Sequence, residues 1–367
     1  MSNNMIGKRI LTIFPDCRNF HLIKDVGLIP YVLYKEFGFQ STILTYKNDN
    51  YSFLGKDING VQIEFLKKYT NNKYLDVLIY LLKNKKRYDV AQFYHIDIRM
   101  LFIGVFSKFF LPGCCKYHIK TDVNKDFFDS LNNKFRYRLV KYLFNQYDLV
   151  TIESYKLYQK AKSIFGSASL KYMPNGYYPK KTTSLSNKKN QIITVGRIGD
   201  KNKSNHILLE AFSNLSNSFP DWKLILIGEI EPDFTSFLNN YFSKYPFLKE
   251  RVILTGRIDD RELINTYYAA TKIFVLTSKL EGFPLVFPEA LNNNCVIVTS
   301  NIDAGYDVTN FEQTGKVFTY PNTDELVLKL KEQIESIDNV ELKNDLEILK
   351  NKFFLKNILQ EQFIPFI

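Results

Sequence analysis

Two glutamates eight positions apart, Glu281 and Glu289, bracket the loop residues Gly282, Phe283, Pro284 and Leu285 in the stretch SKLEGFPLVFPEAL. A carboxylate in a glycine loop can accept hydrogen bonds from sugar hydroxyls. One in the first turns of the next helix can hold the cis-diol of a ribose, as an acidic residue does in dinucleotide folds. Gly282 permits a close backbone approach, and the start of a helix presents N–H groups that suit an anion. Upstream, Arg197 and Lys203 follow the apolar run QIITVG. Two cations and a helix start converging on one edge point to a diphosphate, and the set as a whole to a nucleotide diphosphate carrying a sugar. No Asp-x-Asp or Cys/His metal spacing occurs, so fixed cations are expected to do a metal's work and no metal is required. The cysteines Cys17, Cys114, Cys115 and Cys295 form no CxxC pair, which suggests free thiols in a reducing compartment.

The elements that must position these residues are legible in the second half. Apolar runs at Gln191–Gly196, Lys223–Gly228, Arg251–Gly256, Lys272–Thr277 and Cys295–Ser300 alternate with helical stretches at His206–Leu215 and Arg261–Ala270. Asp259 with Glu262 reads as a capping box opening the second of these helices. Continuous apolar strands separated by helices imply a parallel sheet buried on both faces. Arg197, Lys203 and Glu281 then fall beyond the carboxyl ends of strands, where such sheets bind ligands. Pro288, just before Glu289, places the helix start near Phe287 with the proline at its first position.

The first half has the same grammar, with strands at Arg9–Phe14, Ser41–Thr45 and within Tyr147–Ser154 and a helix near Leu28–Phe37. The polar stretch 179–190 is the expected linker between 1–178 and 191–344. A chain of 367 residues is long for one core and suits two α/β domains.

These residues resemble the retaining GT-B glycosyltransferases of the family-4 type. The resemblance rests on E-x7-E at Glu281–Glu289, on VGRIGDKNKSNHILLEAF at Val195–Phe212 and on the Pro-Asn-Gly of MPNGYYP at Met173–Pro179. It implies two Rossmann-like doubly wound domains facing across a cleft, with residues 345–367 as a helical segment crossing back to the N-terminal domain. It also implies transfer with retention, in which Arg197, Lys203 and Glu281 act at the reacting diphosphate and sugar. Glu289 and residues 282–285 then bind the donor. On the acceptor side it places Lys120 and Asp122 on a loop after a strand, and Gly27 at a donor-facing turn before the first helix. A surface ion pair or a helix cap for Lys120 and Asp122, and a plain turn glycine for Gly27, are the alternatives there. His95 and His118 read as strand-end histidines rather than a catalytic base. Ser204 departs from the pattern, standing where many relatives have glycine.

The net charge of +11 is uneven: residues 1–180 hold 28 Lys+Arg against 14 Asp+Glu, and residues 181–367 hold 21 against 24. Such asymmetry signals a partner. The segment Asp126–Tyr147 interleaves aromatics with Lys134, Arg136, Arg138 and Lys141. It reads either as an amphipathic helix on the sheet or as a patch drawn to an anionic membrane surface. No nucleic-acid module signature appears. No run approaches a membrane span, and the N-terminal stretch lacks a signal peptide's length. The expectation is a cytoplasmic enzyme, peripheral on the inner membrane face. It would transfer a hexose from a nucleotide-sugar donor to a glycan acceptor carried on a lipid, in surface polysaccharide assembly. A nucleotide-sugar epimerase or phosphorylase on the same fold, or a non-catalytic basic binding protein, is the alternative.

Overall fold

The computed structural model describes residues 6–84, 87–95, 97–110, 115–123, 125–167, 169–179 and 188–367. The chain divides into two compact units, one of residues 1–178 with 355–367 and one of residues 179–354.

In the first unit β1 (Arg9–Ile13), α1 (Asp25–Phe37), β2 (Gln40–Thr45), α2 (Phe53–Lys56) and β3 (Gln62–Phe65) build outward in one direction. Then α3 (Lys73–Lys83), β4 (Val90–Tyr94), α4 (Ile98–Phe110), β5 (Lys116–Thr121), α5 (Lys125–Asp129), α6 (Lys134–Gln146), β6 (Leu149–Ile152), α7 (Tyr155–Phe165) and β7 (Leu170–Tyr172) build in the other. The seven strands are parallel in the order β3-β2-β1-β4-β5-β6-β7. Side chains of α3 to α7 fill one face, with Val77, Leu101, Phe144 and Phe165 in a common core. The other face is covered by α1 and by the terminal helix, through Ile29, Leu33, Ile358 and Leu359.

The second unit repeats the scheme with β8 (Lys189–Val195), α8 (Asn205–Leu215), β9 (Lys223–Ile227), α9 (Thr235–Lys244), β10 (Val252–Gly256), α10 (Arg261–Ala270), β11 (Thr271–Leu276), α11 (Val286–Asn292), β12 (Val296–Ser300), α12 (Asp303–Val308), β13 (Lys316–Phe318), α13 (Thr323–Ser336) and α14 (Val340–Lys352). Its six parallel strands run β10-β9-β8-β11-β12-β13. The strand order reverses between β1 and β4 in the first unit and between β8 and β11 in the second, and ligands sit at such switch points in open α/β sheets.

Several expected boundaries move. Most of the segment 179–190 lies outside the described residues, and β8 already begins at Lys189. Asp345 falls inside α14, and the chain rejoins the first unit only at Leu355, whose N–H donates to the Tyr177 carbonyl at 2.8 Å. There α15 (Leu355–Gln362) packs on α1. The segment 126–147 is not one helix: Asn133 breaks it, its side chain accepting from the N–H groups of Phe135 and Arg136 to start α6. The cap of α10 is Asp260, which accepts from Glu262 and Leu263, while Asp259 pairs with Arg257.

Gly27 is not in a turn before the first helix but inside the first turn of α1, buried. A β-carbon there would lie 2.0 Å from the Leu22 carbonyl oxygen. That close approach by itself requires a glycine here.

A buried chain of hydrogen bonds crosses four strands of this sheet. Thr12 Oγ1 donates to Gln92 Oε1 (3.0 Å), which turns the Gln92 amide nitrogen to His118 Nδ1 (3.2 Å). His118 Nε2 then faces Thr151 Oγ1 at 2.9 Å. With a donor on Nδ1, a second ring proton has no acceptor, and burial, then the Lys120 charge, lower the His118 pKa to about 3 from 6.5. The unfolded chain therefore binds a proton below pH 6.5 that the folded chain refuses, so this stability is present above 6.5 and lost as pH falls. His95 and Glu153, both raised, act in the opposite direction. The expected result is thus a difference: relative to His118→Asn, the wild type loses about 2 kcal/mol more between pH 7 and 5. Amide exchange in β4 and β5 would measure it, and parallel pH profiles would remove this role for His118.

Candidate active site

At the switch point of the second unit, β8 is followed by Gly196 at φ +153 and β9 by Gly228 at φ +149. A β-carbon on Gly228 would lie 1.7 Å from the Gly196 carbonyl oxygen, so the two strand ends approach this closely only with glycine at 228. The Lys203 side chain lies over Gly196, its Cε 3.4 Å from where a β-carbon would stand. Its Nζ reaches Glu281 Oε1 at 2.8 Å, and both side chains are about four-fifths buried, at 22% and 20% exposure.

Asn202 holds the loops after β8 and β11 together. Its Nδ2 donates to the Leu280 carbonyl (2.7 Å) and to Glu281 Oε1 (3.3 Å). Its Oδ1 accepts from Leu280 N (3.0 Å), and its carbonyl from Lys279 N (2.7 Å). Thr277 Oγ1 bonds the Lys203 and Ser204 carbonyls at 2.8 and 3.1 Å. The pair is thus fixed from both sides of the switch point. Ser204 sits at φ +48, the left-handed region glycine favours, which accounts for the expected glycine at this position. Its hydroxyl is held by the Lys201 carbonyl (3.1 Å) and the Tyr320 hydroxyl (3.2 Å).

Arg197 makes its contacts elsewhere: its exposed guanidinium pairs with Asp200 (2.6 Å) and Glu231 (3.5 Å). Glu289 is held by two residues that the sequence did not single out. Arg261 Nη2 lies 2.8 Å from Oε1, and the buried Tyr268 hydroxyl 3.4 Å from Oε2. Arg261 had been read only as a helix start, and nothing local in the sequence links it to Glu289.

Between the glutamates, Gly282 and Leu285 are half-buried while Phe283 and Pro284 are buried. The Phe283 ring packs on Phe353, with centroids 5.8 Å apart. The following helix starts at Val286, so Pro288 is its third residue and not its first. Phe287 N–H is taken by the Pro284 carbonyl and Pro288 has none, so this short helix offers an anion less than its sequence suggests.

In the first unit Lys120 is not on a loop. It is within β5 and fully buried, its ammonium bonded to Glu153, to Asn175 Oδ1 (2.9 Å) and to Asp25 (3.4 Å). Burial alone would lower its pKa, but Glu153 and Asp25 raise it above the usual range. Burial and Asp25 push Glu153 up to about 7 against the pull of Lys120. Asp122, just past β5, pairs with His95 Nδ1 at 2.6 Å, and that carboxylate outweighs the effect of burial to raise the His95 pKa. A lysine inside such a group is a structural cation, unavailable to a ligand. Among the described residues, no group of three or more His, Cys, Asp or Glu is placed to hold a metal ion. No described helix is long and apolar enough to cross a membrane.

The glycosyl transferases group 1 family model matches residues 180–347. An uncharacterized glycosyltransferase of Haemophilus influenzae is 27% identical over 191 residues, covering 51% of this chain and 52% of the relative. A Campylobacter jejuni protein is 24% identical over 225 residues, covering 58% and 56%. Its name is N-acetylgalactosamine-N,N'-diacetylbacillosaminyl-diphospho-undecaprenol 4-alpha-N-acetylgalactosaminyltransferase. The chain thus spans just over half the length of these two relatives. Among solved structures, HepE of Anabaena in complex with UDP superposes with a TM-score of 0.71 at 18% identity, over 96% of this chain and 98% of that one. The family match thus falls within the second unit of this chain, and the chain as a whole has the GT-B fold.

Proposed function

We propose that this chain is a retaining glycosyltransferase that moves a hexose from a nucleoside diphosphate sugar to a glycan acceptor carried on a lipid, in surface polysaccharide assembly. The observation that carries the reading is the Lys203–Glu281 pair at the β8/β11 switch point, 2.8 Å apart and lying over Gly196. The UDP named in the HepE complex supports the donor class, and the diphospho-undecaprenol in the Campylobacter name supports the lipid-linked acceptor.

In this reading the bond between the sugar's anomeric carbon and the diphosphate oxygen breaks, and negative charge grows on that oxygen. Lys203 faces it, and Arg197 exchanges Asp200 and Glu231 for the diphosphate. Charge stabilised where it develops lowers the barrier, whereas equal stabilisation of the ground state would not. The acceptor hydroxyl adds on the face the diphosphate leaves and passes its proton to a diphosphate oxygen. Glu281 accepts from sugar hydroxyls and Glu289 from the ribose diol, with Gly282 and Leu285 lining the loop.

A thermal-shift panel of UDP, GDP and ADP with their sugars, in EDTA buffer, tests this. One nucleotide family should stabilise the protein by about 2.7 kcal/mol at a hundred times its Kd. Glu289→Ala should lose that shift and turnover while melting as the wild type does, because Arg261 is half-exposed and tolerates losing its partner. No shift with any nucleotide would overturn the reading.

A further inference from the structure

The helices α3, α4 and α6 lie side by side on one face of the first sheet, α4 packing on both neighbours, and share one core beneath them. Their outer sides therefore form a continuous surface. That surface exposes large apolar side chains: Phe102 and Phe106 at 46%, Phe109 at 66%, Phe135 at 77%, Tyr142 at 53% and Leu82 at 37%. Phe102, Phe106 and Phe109 stand at helical spacing, a stripe along α4 rather than scattered residues. Single exposed apolar residues need no explanation, but a contiguous patch does.

The charge on the same surface has one sign. Helices α4 and α6 hold six cations, Arg99, Lys108, Lys134, Arg136, Arg138 and Lys141, and no carboxylate. The single acid of α3, Asp76, is fully buried. Acids that flank the surface are engaged: Asp97 with Arg99 (3.0 Å), Asp148 with Lys108 (2.9 Å) and Asp129 with Lys160 (3.7 Å). Asp126 on α5 is exposed. Among the described residues no carboxylate pairs with Lys134, Arg136 or Arg138.

We infer that the outer surface of α3, α4 and α6 docks on an anionic lipid bilayer, with Phe102, Phe109 and Phe135 entering the interface and Lys134, Arg136 and Arg138 meeting headgroup phosphates. Aromatic rings favour the boundary between headgroups and acyl chains, and basic side chains add attraction to anionic lipid. A second copy of the chain fits poorly, because a two-fold contact through this surface would press cations against cations.

Flotation with vesicles, read without donor or acceptor, tests the inference independently of the transfer reading. The protein should float with phosphatidylglycerol/phosphatidylcholine vesicles and not with phosphatidylcholine alone, and binding should weaken as salt rises. The triple variant Lys134→Gln, Arg136→Gln, Arg138→Gln should bind on the order of a hundredfold more weakly. Phe102→Ser with Phe109→Ser should lose roughly tenfold. These are exposed positions, so unchanged melting is the control. The chain's single tryptophan, Trp222, is buried in the second unit, so Phe109→Trp adds a local reporter. Its emission should shift to the blue and be quenched by brominated lipid. No flotation, equal binding to neutral vesicles, or an emission that vesicles leave unchanged would overturn the inference. So would a concentration-dependent dimer, or binding to single-stranded nucleic acid, that the Phe variant abolishes without any vesicle binding.

Discussion

Lys203→Ala is expected to lower turnover by about two to three orders of magnitude, the effect of removing one group aimed at developing charge. Its melting, compared with the wild type, separates this loss of turnover from the cost of leaving the four-fifths buried Glu281 without its partner. Nucleotide affinity should fall as well, since Glu281 is left 20% exposed with its charge unmatched beside the diphosphate. The double variant Lys203→Ala, Glu281→Gln removes that repulsion and should regain nucleotide binding without regaining turnover. This non-additivity separates a cation that binds the leaving group from one that merely holds the loop. Turnover within a factor of three of wild type in Lys203→Ala would end the assignment.

The second large effect concerns folding. Lys120→Met leaves Glu153 and Asp25 in the first unit without the ammonium between them. Breaking a buried ion group by removing one partner costs about 3–5 kcal/mol, because a carboxylate stays buried and uncompensated. Adding Glu153→Gln should recover part of the loss, since it neutralises the more buried acid. Amide exchange in β5 and β6 reports the first unit alone and would give both values. A loss below about 1 kcal/mol would mean that the group is hydrated, and Lys120 would return as a candidate ligand contact.

Much of the placement of the candidate residues in the second unit is legible in the order of residues. The apolar runs of the second half, continuous and separated by helices, predict a parallel sheet, and the strands lie within a residue or two of their expected limits. Once the sheet is parallel, loops after strands must gather at one edge. That ground places Arg197, Lys203 and Glu281 just beyond strand ends, where the structure has them. Ser204 shows the reverse, since its left-handed backbone is visible only in the fold.

On the first unit the same reasoning misplaced residues by short distances with large consequences. The resemblance implies a loop position for Lys120, after a strand-like CCKY run. The lysine lies within β5, because Asp25, Glu153 and Asn175 supply its partners from three other segments. For Gly27 the resemblance implies a turn before the first helix, yet it lies inside that helix, where the Leu22 carbonyl leaves no room for a side chain.

The chain's sequence by itself determined its class of fold, the strand ends that carry the candidate site residues and the charge asymmetry of its halves. These follow from periodicity and composition, which act over a few residues at a time. Only the tertiary structure decided which charges meet. Lys203 joins Glu281 across 78 positions, Arg261 joins Glu289 across 28, and Lys120 joins Glu153 across 33. A parallel sheet brings its strand ends together through crossovers of variable length, so no fixed spacing in the sequence encodes those partners.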